Sequence, residues 1–318
     1  TSQAARDLPD PHTLRGLTEV PELPDPKPVE GSSAQKLPVT VTDVEGNKVT
    51  IKSTSRILAL DLYGTLSRTL IGLGLGDKIV GRTVSSTEKQ LHDRPVVTEN
   101  GHVLNVEAVA GLKPSVIIAD RSVGPKEALD QLRKSGIPVV LVDPHRSVGS
   151  TPQLIRTIAD AVGKPDAGEA LVKRTQEQID QAKKQIAAWK PAKPMRVAFL
   201  YVRGNAGVFF ILGSENGASE LIQGVGADDV ASDKGITTLV PANAESLVSI
   251  NPDAIFVMRD GLASTGGMKG LLARAGVANT TAGRKQRVIS IPDGISLSFG
   301  PQTGEVLTAV AKALYGVK

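Results

Sequence analysis

A chain without cysteine has few side chains that can hold a metal or attack a substrate, so four histidines and three tyrosines carry most of the distinctive chemistry here. His102 follows Asn100-Gly101, where glycine allows a tight backbone, and precedes a short helical stretch. His145, in Val142-Asp-Pro-His-Arg-Ser, also follows an apolar run. Loops at the strand ends of an α/β lobe face a ligand crevice, yet a solitary histidine is more often structural or merely exposed. His12 belongs to a proline-rich opening stretch. Tyr201 ends the apolar run Val197–Tyr201, and Arg203 lies two residues on, so on an extended backbone both side chains point the same way. A phenolate is a hard anionic donor for ferric iron, and a guanidinium beside a phenol favours that anion. The pair reads equally as a half-buried strand tyrosine beside a solvated arginine, and the residues alone leave both roles open. Tyr315 sits in a terminal helical pattern.

Composition removes several classes of function. Without cysteine there are no disulfides, zinc–thiolate sites, cysteine nucleophiles or cysteine-ligated clusters. A net charge of +4 with 3% aromatic residues and no basic run gives little for nucleic acid to bind. Gly72-Leu-Gly-Leu-Gly76 resembles a dinucleotide fingerprint, but it follows a helical stretch, 65–73, and precedes an expected strand, 78–81. A genuine fingerprint has the reverse order, so these glycines form a helix cap and turn. Ser264-Thr-Gly-Gly267 lacks the lysine of a phosphate loop, and no catalytic triad or paired catalytic carboxylates stand out. No enzyme chemistry is expected, the rival class being a tetrapyrrole-processing enzyme such as a chelatase.

The elements that must position these residues follow from periodicity. A hairpin is expected over VTVTDVEGNKVTI, around Glu45-Gly46-Asn47. Short continuous apolar runs at Ile57–Leu60, Val116–Ala119, Pro138–Val142, Val197–Tyr201, Ile255–Met258 and Val288–Ile291 read as buried parallel strands. Helical patterns such as Lys126–Lys134 and Glu305–Leu314 alternate with them, giving an α/β fold. From 166 to 190, Leu171, Ile179, Ala182, Ile186 and Trp189 recur at helical spacing, predicting one long helix closed by Pro191 and Pro194. The flanking segments repeat each other. Glu107-Ala-Val-Ala-Gly-Leu-Lys-Pro-Ser-Val-Ile-Ile corresponds to Glu245-Ser-Leu-Val-Ser-Ile-Asn-Pro-Asp-Ala-Ile-Phe, and Arg56-Ile-Leu-Ala-Leu to Arg196-Val-Ala-Phe-Leu. The organisation expected is a flexible tether over 1–36, a lobe over 37–163, a linking helix over 164–191 and a second lobe over 192–318. No stretch of about 18 apolar residues would span a membrane. The sequence opens without a basic start or apolar core, which fits either a cytoplasmic protein or one whose secretory leader has been removed.

This pattern resembles the class III periplasmic binding proteins, which capture cobalamin, iron–siderophores and haem for ABC importers. Within the class it is similar to the haem-binding lipoproteins of actinobacteria. The closest stretches are Val97-Thr-Glu-Asn-Gly-His-Val-Leu-Asn105, Tyr201-Val-Arg-Gly204, Gly261-Leu-Ala-Ser-Thr-Gly-Gly267 and Leu297-Ser-Phe-Gly-Pro301, within a likeness covering 38–318. The resemblance implies two Rossmann-like lobes joined by a backbone helix, with ferric haem held in the cleft between them. It implies His102 and Tyr201 as axial iron ligands, with His145 in reserve, and Arg203 in support of Tyr201. Tyr63, Phe209, Met258 and Phe299 are expected to line the pocket. Phe209 and Phe210 stand where related haem binders show tyrosine, which concentrates ligation on Tyr201. Glu107 and Glu245 are expected to dock onto an ABC permease, itself driven by its ATPase. A lipid anchor would hold the protein outside the cytoplasmic membrane. A siderophore or cobalamin is the alternative cargo, because such ligands largely fill their own metal coordination.

Overall fold

The computed structural model describes residues 7–31 and 34–318, which form two compact units. The first comprises Pro24–Glu177 with Ser298–Thr303; the second comprises residues up to Leu23, Gln178–Leu297 and Gly304–Lys318.

The first unit is built on a parallel sheet in the order Ile57–Leu60, Val116–Ala119, Val139–Leu141. Every residue of these strands is buried. Alternate side chains enter two different cores. Ile57, Ala59, Val116, Ile118 and Val140 pack in one, and Leu58, Leu60, Ile117, Ala119, Val139 and Leu141 in the other. A sheet covered on both faces needs apolar residues at every position, so these strands read as unbroken runs. The helix Lys126–Lys134 buries Ala128, Leu129 and Leu132 and places Arg133 and Lys134 at its C-terminus, where the helix dipole favours cations.

The second unit holds a mixed seven-stranded sheet. Its centre is parallel: Ala254–Met258 lies between Arg196–Arg203 and Val288–Ile291. Val208–Ile211 turns back antiparallel onto Arg196–Arg203. The predicted long helix runs Pro165–Trp189, and its five predicted apolar positions are all buried. The division between the units falls inside it, after Glu177.

The internal repeat is physical. Asn105 and Asn243 cap the helices Val106–Gly111 and Ala244–Ile250, putting Glu107 and Glu245 in equivalent first turns. Each helix ends near a residue at positive φ, Lys113 or Asn251, followed by proline. Arg56 Nε then donates to the Leu112 carbonyl at 2.8 Å, and Arg196 Nη1 to the Asn251 carbonyl at 2.7 Å. In both units the arginine opening the first strand satisfies orphan carbonyls at a helix C-terminus.

Two expectations fail. The stretch 78–81 is no strand: a 3₁₀ turn Gly76–Lys78 is followed by an isolated bridge from Ile79 to Ile57. Nor is the N-terminal stretch a free tether where it is described; residues 1–6 and 32–33 lie outside the described residues. Leu17–Glu19 adds a parallel edge strand beside Val288–Ile291, and the Val20 N–H donates to the Ser290 carbonyl at 2.8 Å. His12 belongs to a short turn capped by Asp10. Further on, the Asp25 carboxylate accepts the Lys89 and Gln90 N–H groups at 2.8 and 3.0 Å. Composition hides this because few anchors suffice: Val20 and Val29 are buried among prolines that need no N–H partner. Deleting residues 1–23 is therefore expected to lower the melting temperature by about 5 °C, from lost strand pairing and Val20 burial. An unchanged melting temperature would mean that this stretch contributes nothing to the body.

Candidate functional site

In the second unit, the C-terminal ends of three neighbouring parallel strands bring together Tyr201, Arg203, Met258 and Asp293. Tyr201 and Arg203 alternate with buried Val202, so both half-buried side chains leave the sheet on one face. The Arg203 guanidinium lies over the Tyr201 ring, 5.3 Å from its centroid, a cation–π geometry. Its Nη2 pairs with Asp293 Oδ2 at 2.6 Å and approaches the Met258 sulfur at 3.7 Å. Burial opposes the guanidinium charge, but the bonds to Asp293 and Tyr201 outweigh it and raise Arg203 above the usual arginine value. Gly261 admits this packing. A Cβ there would stand 2.6 Å from the Val202 carbonyl oxygen and 3.1 Å from Arg203 Nη1.

The expected role of Phe209 is corrected. Phe209 is paired with Val202 rather than Tyr201, so its ring enters the core on the opposite face. Arg274 stacks over it at 4.7 Å and donates to the Gly204 and Ala206 carbonyls, holding the hairpin turn. Half-buried Phe210, directly opposite Tyr201, occupies the position assigned to Phe209. The period of two across a hairpin decides this, and register was not fixed by the sequence pattern.

In the first unit, His102 closes a three-residue loop between the strands Thr98–Glu99 and Val103–Leu104. Asn100 and Gly101 both have positive φ, 50° and 86°, a conformation glycine adopts without strain. The His102 ring is exposed, and its carbonyl accepts the Gly124 N–H at 2.8 Å. His145 is also exposed, its N–H donating to Asp143.

Tyr63 follows the first strand and is half-buried under Arg146, whose guanidinium lies 5.4 Å from the ring centroid. Arg146 bridges two fully buried carboxylates, Asp61 at 3.1 Å and Asp120 at 2.5 Å. Asp61 also accepts the Gly64 and Thr65 N–H groups at the start of the helix Thr65–Gly72. Burial and the Asp61 charge push the Asp120 carboxyl up to about 6. Burial also raises Tyr63, with Asp120 acting the same way, so its phenol resists ionisation. Phe299 is buried in this unit. Each unit thus sets a tyrosine beneath an arginine held by carboxylate. Sequence reasoning missed Asp61, Asp120, Arg146 and Asp293. All four directly or closely follow predicted strands, which was the one signal available. Among the described residues, no group of three His, Asp or Glu side chains could hold a bare metal ion.

The profile of a family described as periplasmic binding protein matches residues 62–294. The chain is similar to a Bacillus subtilis ABC transporter substrate-binding lipoprotein, YvrC, with 27% identity over 87% of this chain and 86% of that one. It is similar to the crystal structure of the heme binding protein HmuT, with 49% identity, a TM-score of 0.94 and coverage of 96% and 99%. Other HmuT structures carry alanine at a histidine, at a tyrosine 99 residues further on, and at an arginine two residues past that tyrosine. The periplasmic heme-binding protein RhuT from Roseiflexus sp. RS-1 matches at 32% identity and a TM-score of 0.77, over 83% of this chain and 99% of that one.

Proposed function

The chain belongs to the periplasmic binding protein family, and from that premise we propose that it captures ferric haem outside the cytoplasm and delivers it to an ABC importer. Proteins of this family are transport components rather than enzymes. The reading is carried by the Tyr201–Arg203 pair, a phenol ring set beneath a carboxylate-paired guanidinium at the end of a strand. Such a phenol binds iron as the anion, and an adjacent positive charge favours that form. His102 is the proposed second axial donor. Porphyrin already fills the equatorial positions, so two axial donors suffice without a cage of acidic ligands. The spacing of the substituted HmuT residues supports the assignment, since Tyr201 stands 99 residues after His102 and Arg203 two beyond Tyr201. Tyr63, Phe210, Met258 and Phe299 would supply the apolar wall. Titration with haemin should produce a Soret band with a tyrosinate charge-transfer feature. Tight binding of cobalamin or a ferric siderophore, with no response to haemin, would reject haem as the cargo.

Delivery requires a permease and its ATPase. Glu107 and Glu245, exposed in equivalent first turns, are the proposed docking points. Reversing both charges should leave the haem spectrum intact and cut transport in reconstituted vesicles. Unchanged transport would reduce them to helix-dipole partners. A lipid anchor, as the name of YvrC describes for that protein, would keep the complex at the membrane.

A further inference from the structure

We infer that Asp293 is a positioning residue for the Tyr201–iron bond, fixing the Arg203 guanidinium across the tyrosine ring. The inference rests on Tyr201 being the iron ligand. Exposed ion pairs rarely hold a side chain in place, but this one is held on several sides. The Arg203 and Asp293 side chains are 35% and 20% exposed. Both Asp293 oxygens are engaged: Oδ2 accepts Arg203 Nη2 at 2.6 Å and Oδ1 accepts the Asp260 N–H at 2.8 Å. Asp293 itself opens the helical turn Asp293–Ser296, where Ser296 Oγ donates back to its carbonyl at 3.1 Å. The Gly261 backbone also lies close to the guanidinium and leaves no room for even a methyl group.

The remaining charges nearby do not compete for Arg203. Arg259 Nη2 pairs with Glu22 at 2.5 Å, and its Nε lies 3.7 Å from Asp260. Without Asp293, only the ring and the weakly accepting Met258 sulfur would retain the guanidinium, and the Tyr201 anion would lose a fixed neighbour.

Loss of Asp293 has a second effect of opposite sign, because it removes a negative charge near the phenolate. A double-mutant cycle separates the two. Wild type, Asp293→Ala, Arg203→Ala and the double variant would be compared for ferric haem affinity and for the pH at which half the tyrosinate band is lost. Asp293→Ala should weaken ferric binding about tenfold and move band loss to higher pH. In the Arg203→Ala background only the charge effect remains, so the substitution should no longer weaken ferric binding or raise the pH of band loss. Wild-type behaviour of Asp293→Ala, or a weakening of ferric binding that persists without Arg203, would overturn the inference. Should the alanine variant fold poorly, Asp293→Asn in the same cycle keeps the shape and one acceptor and is read by the same criteria. A Tyr201→Ala control separates the two levels. If it keeps the band, the ligand assignment falls and Asp293 with it. If it loses the band while the cycle is additive, only the role of Asp293 falls.

Discussion

Alanine in place of Tyr201 is expected to weaken ferric haem binding by at least about a hundredfold, near 2.7 kcal/mol. The substitution removes an axial bond and also the phenolate beside which Arg203 is held. Ferric haem carries a net positive charge at iron that ferrous haem lacks, so the ferrous affinity should fall less and the ferric preference should shrink. His102→Ala should behave differently, leaving a five-coordinate tyrosinate species with a shifted but recognisable spectrum. Titration of haemin and of dithionite-reduced haem into each variant checks both statements. An unchanged spectrum in His102→Ala, with binding abolished in His145→Ala, would move the histidine ligand to the other loop of the first unit.

Replacing Arg146 by leucine should destabilise the first unit by about 3–5 kcal/mol, because it strands buried Asp61 and Asp120 without their shared cation. Denaturant midpoints would measure it, and a loss below about 1 kcal/mol would mean the cluster is better hydrated than its burial implies. The pH dependence has a definite sign. Asp120 is raised to about 6 from an unfolded value of 3.8. An acid raised by folding contributes most to stability below about 4, and that contribution is lost as pH rises through about 6. The difference between wild type and Asp120→Asn should trace that window. The cluster also bears on ligand binding. Asp120 accepts the Ser122 N–H at 2.9 Å, and Gly124 in the same loop donates to the His102 carbonyl. Disturbing Arg146 should therefore blunt haem binding as well.

The sequence disclosed most of the frame because the frame is written in local patterns. Ile57–Leu60 and Val116–Ala119 are unbroken apolar runs because both sheet faces are covered, and they became strands with those limits, as did Val288–Ile291, interrupted only by buried Ser290. The long helix was legible from five apolar positions at helical spacing. Tyr201 and Arg203 were legible as a pair because a strand repeats every two residues. Long-range partners were not. Asp293 meets Arg203 across 90 residues, and Arg146 meets Asp61 across 85, distances over which no local pattern acts. Phe209 was placed on the wrong face for want of the hairpin register. The N-terminal stretch was misjudged because averaging its composition conceals a three-residue strand and two buried valines.

Resonance Raman spectroscopy of the ferric haem complex, excited in its charge-transfer band, tests the central claim most directly, because it detects a phenolate bound to iron. Phenolate modes should appear in the wild-type protein and in Tyr63→Phe, and vanish in Tyr201→Phe. Modes that are absent from wild type, or that survive in Tyr201→Phe, would contradict the account.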